Sequence, residues 1–303
     1  MDQASNLRAK MQKQEASQHT GQTSGTSSKA RVIAVTSGKG GVGKTSFSVN
    51  LAIQLKHMGK KVVIIDADLG LSNVEVMLGI RPRHNLADLI YNNLKLEEVI
   101  TAGPLDIGII SGGSGVQELV NLDKGDIKLL IAKLSQLDRL YDVIIIDTGA
   151  GISDAVLEFL LISPEIVLVV TPEPTSITDA YALLKTVNRK KEFEAEQKTI
   201  HVLSNRVENE AEGQEIYDKL NTVSSKFLNV ELEYIGYICQ DRDISRAVIE
   251  QKPIMISRPQ GPTSVSIANI ADRILHDRQY DKPDSQGIAA MFLNYFKMRR
   301  RGR

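Results

Sequence analysis

The chain has 303 residues, 42% hydrophobic and 24% charged, the balance of a globular protein able to bury a sizeable core. Lys+Arg and Asp+Glu stand at 37 each, which argues against wrapping nucleic acid as a whole-protein role, and one cysteine, Cys239, excludes an intramolecular disulfide or a CxxC cluster site within one chain. There is no apolar leader of signal-peptide type and no run near the ~18 apolar residues of a membrane span, so a cytoplasmic protein is expected, with contact at a membrane surface left open.

Residues 1–30 are rich in Gln, Ser, Thr and Gly and hold no aromatic, Val or Ile, so they cannot bury enough apolar surface to offset the entropy of ordering. They predict a disordered N-terminal tail. From Arg31 the texture changes. "RVIAVT" is an apolar run on both faces, which marks a buried parallel strand. It feeds directly into "GKGGVGKT", Gly38 to Thr45, which fits G-x-x-x-x-G-K-[ST], and then into a helical pattern over Lys44–Met58. This strand, loop and helix order is the context a phosphate cradle requires. Glycines let backbone N–H groups converge on phosphate oxygens, and the helix N-terminus adds its positive end. Gly38, Lys39, Gly40, Gly41, Val42, Gly43, Lys44, Thr45 and Ser46 are the expected nucleotide contacts. Lys44 would reach the outer phosphates, and the Thr45 hydroxyl suits Mg²⁺.

The next run, "KVVIIDADLG", ends a strand on Asp66 and Asp68; "LDIGII" follows as another strand, and Lys124–Asp138 has the length of a crossover helix. "DVIIIDTGAG" ends a further strand on Asp147. The C-terminal edge of an open α/β sheet is where ligands bind, so Asp147 is the natural magnesium carboxylate, Asp66 can join the metal shell, and Asp68 points to the same edge. The alternation continues: a helix over Ser153–Ile162, the strand "EIVLVV", a helix over Ser176–Lys190, the strand "TIHVLS", a helix over Ala211–Leu228, "YIGYI", and a last packed helix over Pro262–His276. The repetition predicts a doubly wound, mostly parallel sheet with helices on both faces.

The remaining residues divide into a polar linker, 278–287, and a terminal segment, 288–303. In the latter, Ile288, Met291, Phe292, Tyr295 and Phe296 fall at helical spacing, followed by Lys297, Arg299, Arg300 and Arg301 with no acid. A basic amphipathic terminus is expected to lie on an anionic membrane surface, each cation adding about 1 kcal/mol there.

"KGGVGKT", "DADLG" and "DTGAG", in this order and spacing, resemble the deviant Walker A ATPases of the MinD/ParA class over roughly residues 31–277. The resemblance implies ATP/ADP as ligand and a face-to-face homodimer in which Lys39 reaches the partner's phosphates. It makes Asp68 the residue that orients or activates the attacking water, and Lys39, Asp68 and Lys44 the catalytic set. Asn205, in "SNRV", becomes the expected adenine contact, with "CQDRD" nearby. Gly149 departs from that class, where a proline is common. "MDQASNLR" further resembles the DQAxxLR motif of the FlhG family, also called YlxH or FleN, regulators of flagellar number and placement; Asp2, Gln3, Ala4, Leu7 and Arg8 match. In that family the motif engages and stimulates the GTPase FlhF, and flagellar C-ring proteins are further implied partners. No specific nucleic-acid partner is expected. The implied protein is a slow ATPase that sits peripherally on the inner face of the cell membrane as an ATP dimer. The alternatives are a MinD-like cell-division regulator, a ParA-like DNA-segregation ATPase, and a metabolic enzyme on the same fold.

Overall fold

The computed structural model describes residues 29–68, 73–113, 124–190, 192–193, 195–276 and 287–301. The tail motif at Asp2, Gln3, Ala4, Leu7 and Arg8, and the linker up to residue 286, lie outside them. Seven of the eight strands are parallel: β1 (Arg31–Ser37), β2 (Val62–Ala67), β4 (Gly108–Ser111), β5 (Val143–Ala150), β6 (Glu165–Val170), β7 (Thr199–Val207) and β8 (Glu233–Cys239). The sheet order is β3-β4-β2-β5-β1-β6-β7-β8, and β3 (Thr101–Ala102) adds an antiparallel edge.

The sheet is buried on both faces because the strands are apolar on both. Ile33 and Val35 join one core cluster, while Val32 and Ala34 point into the two clusters on the opposite face. The first face is covered by α1 (Lys44–His57), α2 (Asn73–Leu78), α10 (Arg242–Ile249), α11 (Ile254–Ser257) and α12 (Pro262–His276). The other carries α3 (Asp88–Tyr91), α4 (Leu96–Val99), α5 (Lys124–Leu134), α6 (Leu137–Leu140), α7 (Asp154–Ile162), α8 (Pro174–Asn188) and α9 (Glu210–Leu228).

Several details differ from the sequence reading. The helix expected over Lys124–Asp138 breaks at Ser135–Gln136 into α5 and α6; the Ser135 hydroxyl donates back to the Ala132 carbonyl, where an apolar side chain would have continued the packed face. Helices α2, α3, α4 and α11 are too short for a periodic signal. The N-terminal edge of the sheet also holds an ion network that the apolar runs hide. Arg31 grips Glu165 through Nε and Nη2, both at 2.7 Å, and His201 Nε2 lies 3.0 Å from the same carboxylate. Burial alone would raise the Glu165 carboxyl, but hydrogen bonds from His201 and Arg31 hold it below its ordinary value. These side chains staple β1, β6 and β7 together at the end of the sheet opposite the phosphate loop.

The largest addition to the sequence reading concerns the C-terminus. Helix α13 (Ile288–Arg301) is not held apart by the linker. Ile288, Met291 and Phe292, three of the expected membrane contacts, are at most 3% exposed and belong to the core cluster beneath α5, α6 and α7. Phe292 meets Phe159 edge to face with ring centroids 6.4 Å apart. The apolar stripe that suits a membrane suits this groove equally well. Lys297 is exposed; the side chains of Tyr295, Phe296, Arg299, Arg300 and Arg301 lie outside the described residues.

Candidate nucleotide site

The strand β1 delivers the chain to a loop with two left-handed glycines, Gly41 (φ 76°) and Gly43 (φ 91°), which turn backbone N–H groups inward before α1 begins at Lys44. Gly38 is needed for a different reason: a Cβ there would lie 2.2 Å from the Asp179 backbone of α8. The loop is therefore wedged against the neighbouring helix, which fixes its shape before any ligand arrives.

Asp147, fully buried at the β5 edge, organises the floor of the site. Thr45 Oγ1 donates to its Oδ2 at 2.6 Å, Ser48 Oγ donates to Oδ1 at 2.8 Å, and Lys44 Nζ stands 3.6 Å from Oδ1. Ser48 was not picked out from the sequence. It lies one turn beyond Lys44 on the same helical face, and that i, i+4 spacing was the available signal. Asp66 is 1% exposed and is the direct register partner of Asp147 in the β2–β5 pairing. Its oxygens accept the N–H groups of Asp68 (3.1 Å) and Val74 (3.2 Å). Burial, then the Asp147 charge, pushes the Asp66 carboxyl up to about 7.

Two buried carboxylates side by side share a single ammonium, Lys44, and the ionised form of Asp66 is disfavoured, so the pair is short of positive charge. That is the condition a hard divalent cation corrects, and Thr45, Asp66 and Asp147 fit Mg²⁺. Among the described residues no group of three or more His, Cys, Asp or Glu forms a metal cage. Magnesium characteristically uses one or two carboxylates plus waters and substrate phosphates.

The folded-state value of Asp66 lies above the unfolded one, so the folded protein holds the extra proton between about pH 4 and pH 7, and metal-free stability falls as pH rises through that window. Asp66→Asn should flatten this slope; its amide keeps one of the two N–H acceptors, so the comparison is of pH dependence rather than of absolute stability. Thermal melts at pH 5 and pH 8 without magnesium check it; equal pH slopes for wild type and variant would contradict the assignment.

Asp68 sits two residues on at the same edge. Asn73 Nδ2 donates to its Oδ2 at 3.3 Å, and Gly149 faces it, with an added Cβ calculated to lie 3.5 Å from Oδ1. β5 continues through Gly149 to Ala150, so at this position the chain is strand backbone packed against Asp68. Lys39 behaves unlike Lys44. Its Nζ donates to Thr175 Oγ1 at 2.9 Å, at the opening of α8. Asn205, the expected adenine contact, stands against the phosphate loop. Its Nδ2 donates to the Val42 carbonyl at 2.7 Å and so braces the phosphate loop, while its Oδ1 accepts the N–H of the next residue, Arg206. In "CQDRD", Asp241 caps α10 and accepts from Thr263 Oγ1 at 2.6 Å.

The family model for the CobQ/CobB/MinD/ParA nucleotide binding domain matches residues 33–254. The antiactivator FleN of Pseudomonas aeruginosa is 41% identical over 244 residues, covering 80% of this chain and 86% of that protein. The flagellum site-determining protein YlxH of Helicobacter pylori is 36% identical over 243 residues, 80% of each chain. The septum site-determining protein MinD of Pyrococcus horikoshii, solved with Mg-ADP, shares the fold with a TM-score of 0.65 at 24% identity, covering 83% of this chain and 98% of that one. The chain belongs to the FlhG (YlxH/FleN) family of MinD/ParA-type ATPases.

Proposed function

We propose that this protein is an ATP-dependent dimerisation switch with slow hydrolysis that regulates flagellar number and placement. The observation that carries the reading is the division of labour between two lysines: Lys44 stands over Asp147 inside the cradle, while Lys39 leans out onto Thr175 at its lip. A lysine at the lip would serve a second subunit closing face to face. Gly38–Ser46 would hold the phosphates, with Lys44 on the outer ones. Bound magnesium supplies charge neutralisation between the phosphates and Asp66, Thr45 and Asp147. Asp68, held by Asn73, would orient the attacking water.

The names of FleN and YlxH support the flagellar setting. Membrane residence in the ATP state is part of the proposal, and the docked α13 adds a condition to it. The same apolar stripe cannot fill the groove and a lipid surface together, so the helix must leave before Ile288, Met291 and Phe292 reach a membrane. No helix among the described residues is long and apolar enough to cross one.

The tail is proposed to recruit and stimulate FlhF through Asp2, Gln3, Ala4, Leu7 and Arg8, ordering as one amphipathic helix on contact. C-ring proteins are the other proposed partners. A synthetic peptide of residues 1–23 should raise FlhF GTP hydrolysis, and Gln3→Ala or Arg8→Ala should remove the effect. Stimulation by the full chain but not by the peptide, unchanged on removing residues 1–28, would move the activator surface to the ATPase domain.

A further inference from the structure

Helix α13 begins without a cap of its own. The first four N–H groups of any helix lack an intrahelical partner. Here Met291 makes the first i→i−4 bond, to the Gly287 carbonyl, which also takes the Ala290 N–H; Gly287 has no side chain to offer, and the first turn holds no acid. The two remaining N–H groups go to another element: Ile288 donates to Asp138 Oδ1 at 2.9 Å and Ala289 to Oδ2 at 3.5 Å. A Cβ at Gly287 would lie 2.4 Å from both of those oxygens, so the close approach depends on glycine.

The same carboxylate serves the other end of the domain. It lies beside the backbone N–H of Ala30 and the Lys29 charge. Ala30 and Ile288 are both fully buried in one apolar cluster with Leu137, the residue before Asp138 on α6. Asp138 is thus the point where the residues leading in from the N-terminal tail and the first turn of the terminal helix meet.

We propose that Asp138 is a clamp shared by both ends of the chain, so that loosening the residues before β1 and undocking α13 are coupled through one carboxylate. The coupling is reciprocal: a partner that pulls on the N-terminal segment favours release of the helix, and a surface that captures the helix loosens the N-terminal segment. What the released helix then meets rests on the membrane reading above; the clamp does not.

Amide hydrogen exchange on the full chain with ADP tests it in wild type, Asp138→Ala and Asp138→Asn. In Asp138→Ala, amides of 288–293 and those of Ala30 and Arg31 should both exchange roughly tenfold faster, the size of losing a charged helix cap. Amides of β5 should keep their protection as the control for folding. Asp138→Asn retains one acceptor oxygen and should fall between. Gly287→Ala, which crowds the carboxylate from the other side, should loosen both ends in the same way and serves if Asp138→Ala loses β5 protection. Faster exchange at one end only, or at neither, overturns the shared clamp. Flotation with phosphatidylglycerol vesicles is a separate readout: a freed helix that binds no vesicles supports the clamp and rejects the membrane reading.

Discussion

Asp68→Ala should lower ATP hydrolysis by about 10²–10⁴-fold, the usual contribution of a positioned proton acceptor, while leaving ATP binding within a small factor of wild type. The split follows from the geometry. The groups that would grip phosphate and metal are Lys44, Thr45, Asp66 and Asp147, and their mutual contacts do not pass through the Asp68 side chain. Asp68 donates its backbone N–H to that set, through Asp66 Oδ1, and alanine keeps it. Phosphate release measured beside equilibrium ATP binding decides the matter. A variant that hydrolyses at the wild-type rate removes Asp68 from the chemistry. One that loses binding as well makes it part of the cradle.

Removing residues 288–303 should lower stability by roughly 2–4 kcal/mol, because the fully buried Ile288, Met291 and Phe292 leave a groove lined by core residues. The entropy recovered by freeing a 14-residue helix keeps the figure below the sum of the three side chains. For a domain of this size that is a fall in melting temperature of roughly 4–16 °C. Phe292→Ala cannot cost more than the truncation, since the helix can always leave. Phe292→Glu, which would bury a charge against Phe159, should drive it out. Nucleotide binding should persist in each case, because α13 starts beside Asp138, which precedes β5, whereas the phosphate loop lies at the opposite ends of β1 and β5. An unchanged melting temperature for the truncated chain contradicts the docking.

The sheet and the phosphate site were legible because their signals are local. Two-sided apolar runs demand parallel strands, and Lys44, Thr45, Asp66 and Asp147 each occupy a fixed place relative to a strand end. Ser48 and Thr175 were legible only in part, since their partners lie 99 and 136 residues away. Asn205 shows a different limit: an amide at a strand end can read a base or brace a loop, and its 2.7 Å contact with Val42, 163 residues away, has no local signal. The fate of α13 was not legible at all. Its stripe records an apolar face without saying what covers it, and its cap, Asp138, lies 150 residues upstream. The Arg31–Glu165–His201 network stayed hidden for the same reason, each member looking like the edge of an ordinary strand.

Sedimentation velocity on the full chain with Mg-ATP and with Mg-ADP, for wild type and Lys39→Ala, bears on the switch itself. If Lys39 serves the neighbouring subunit, wild type should sediment as a dimer with ATP and a monomer with ADP, and Asp68→Ala should stay dimeric with ATP for longer than wild type. Lys39→Ala should remain monomeric with ATP even though it still binds the nucleotide. Wild type that stays monomeric at saturating Mg-ATP, or a Lys39→Ala variant that dimerises as readily as wild type, would contradict the account.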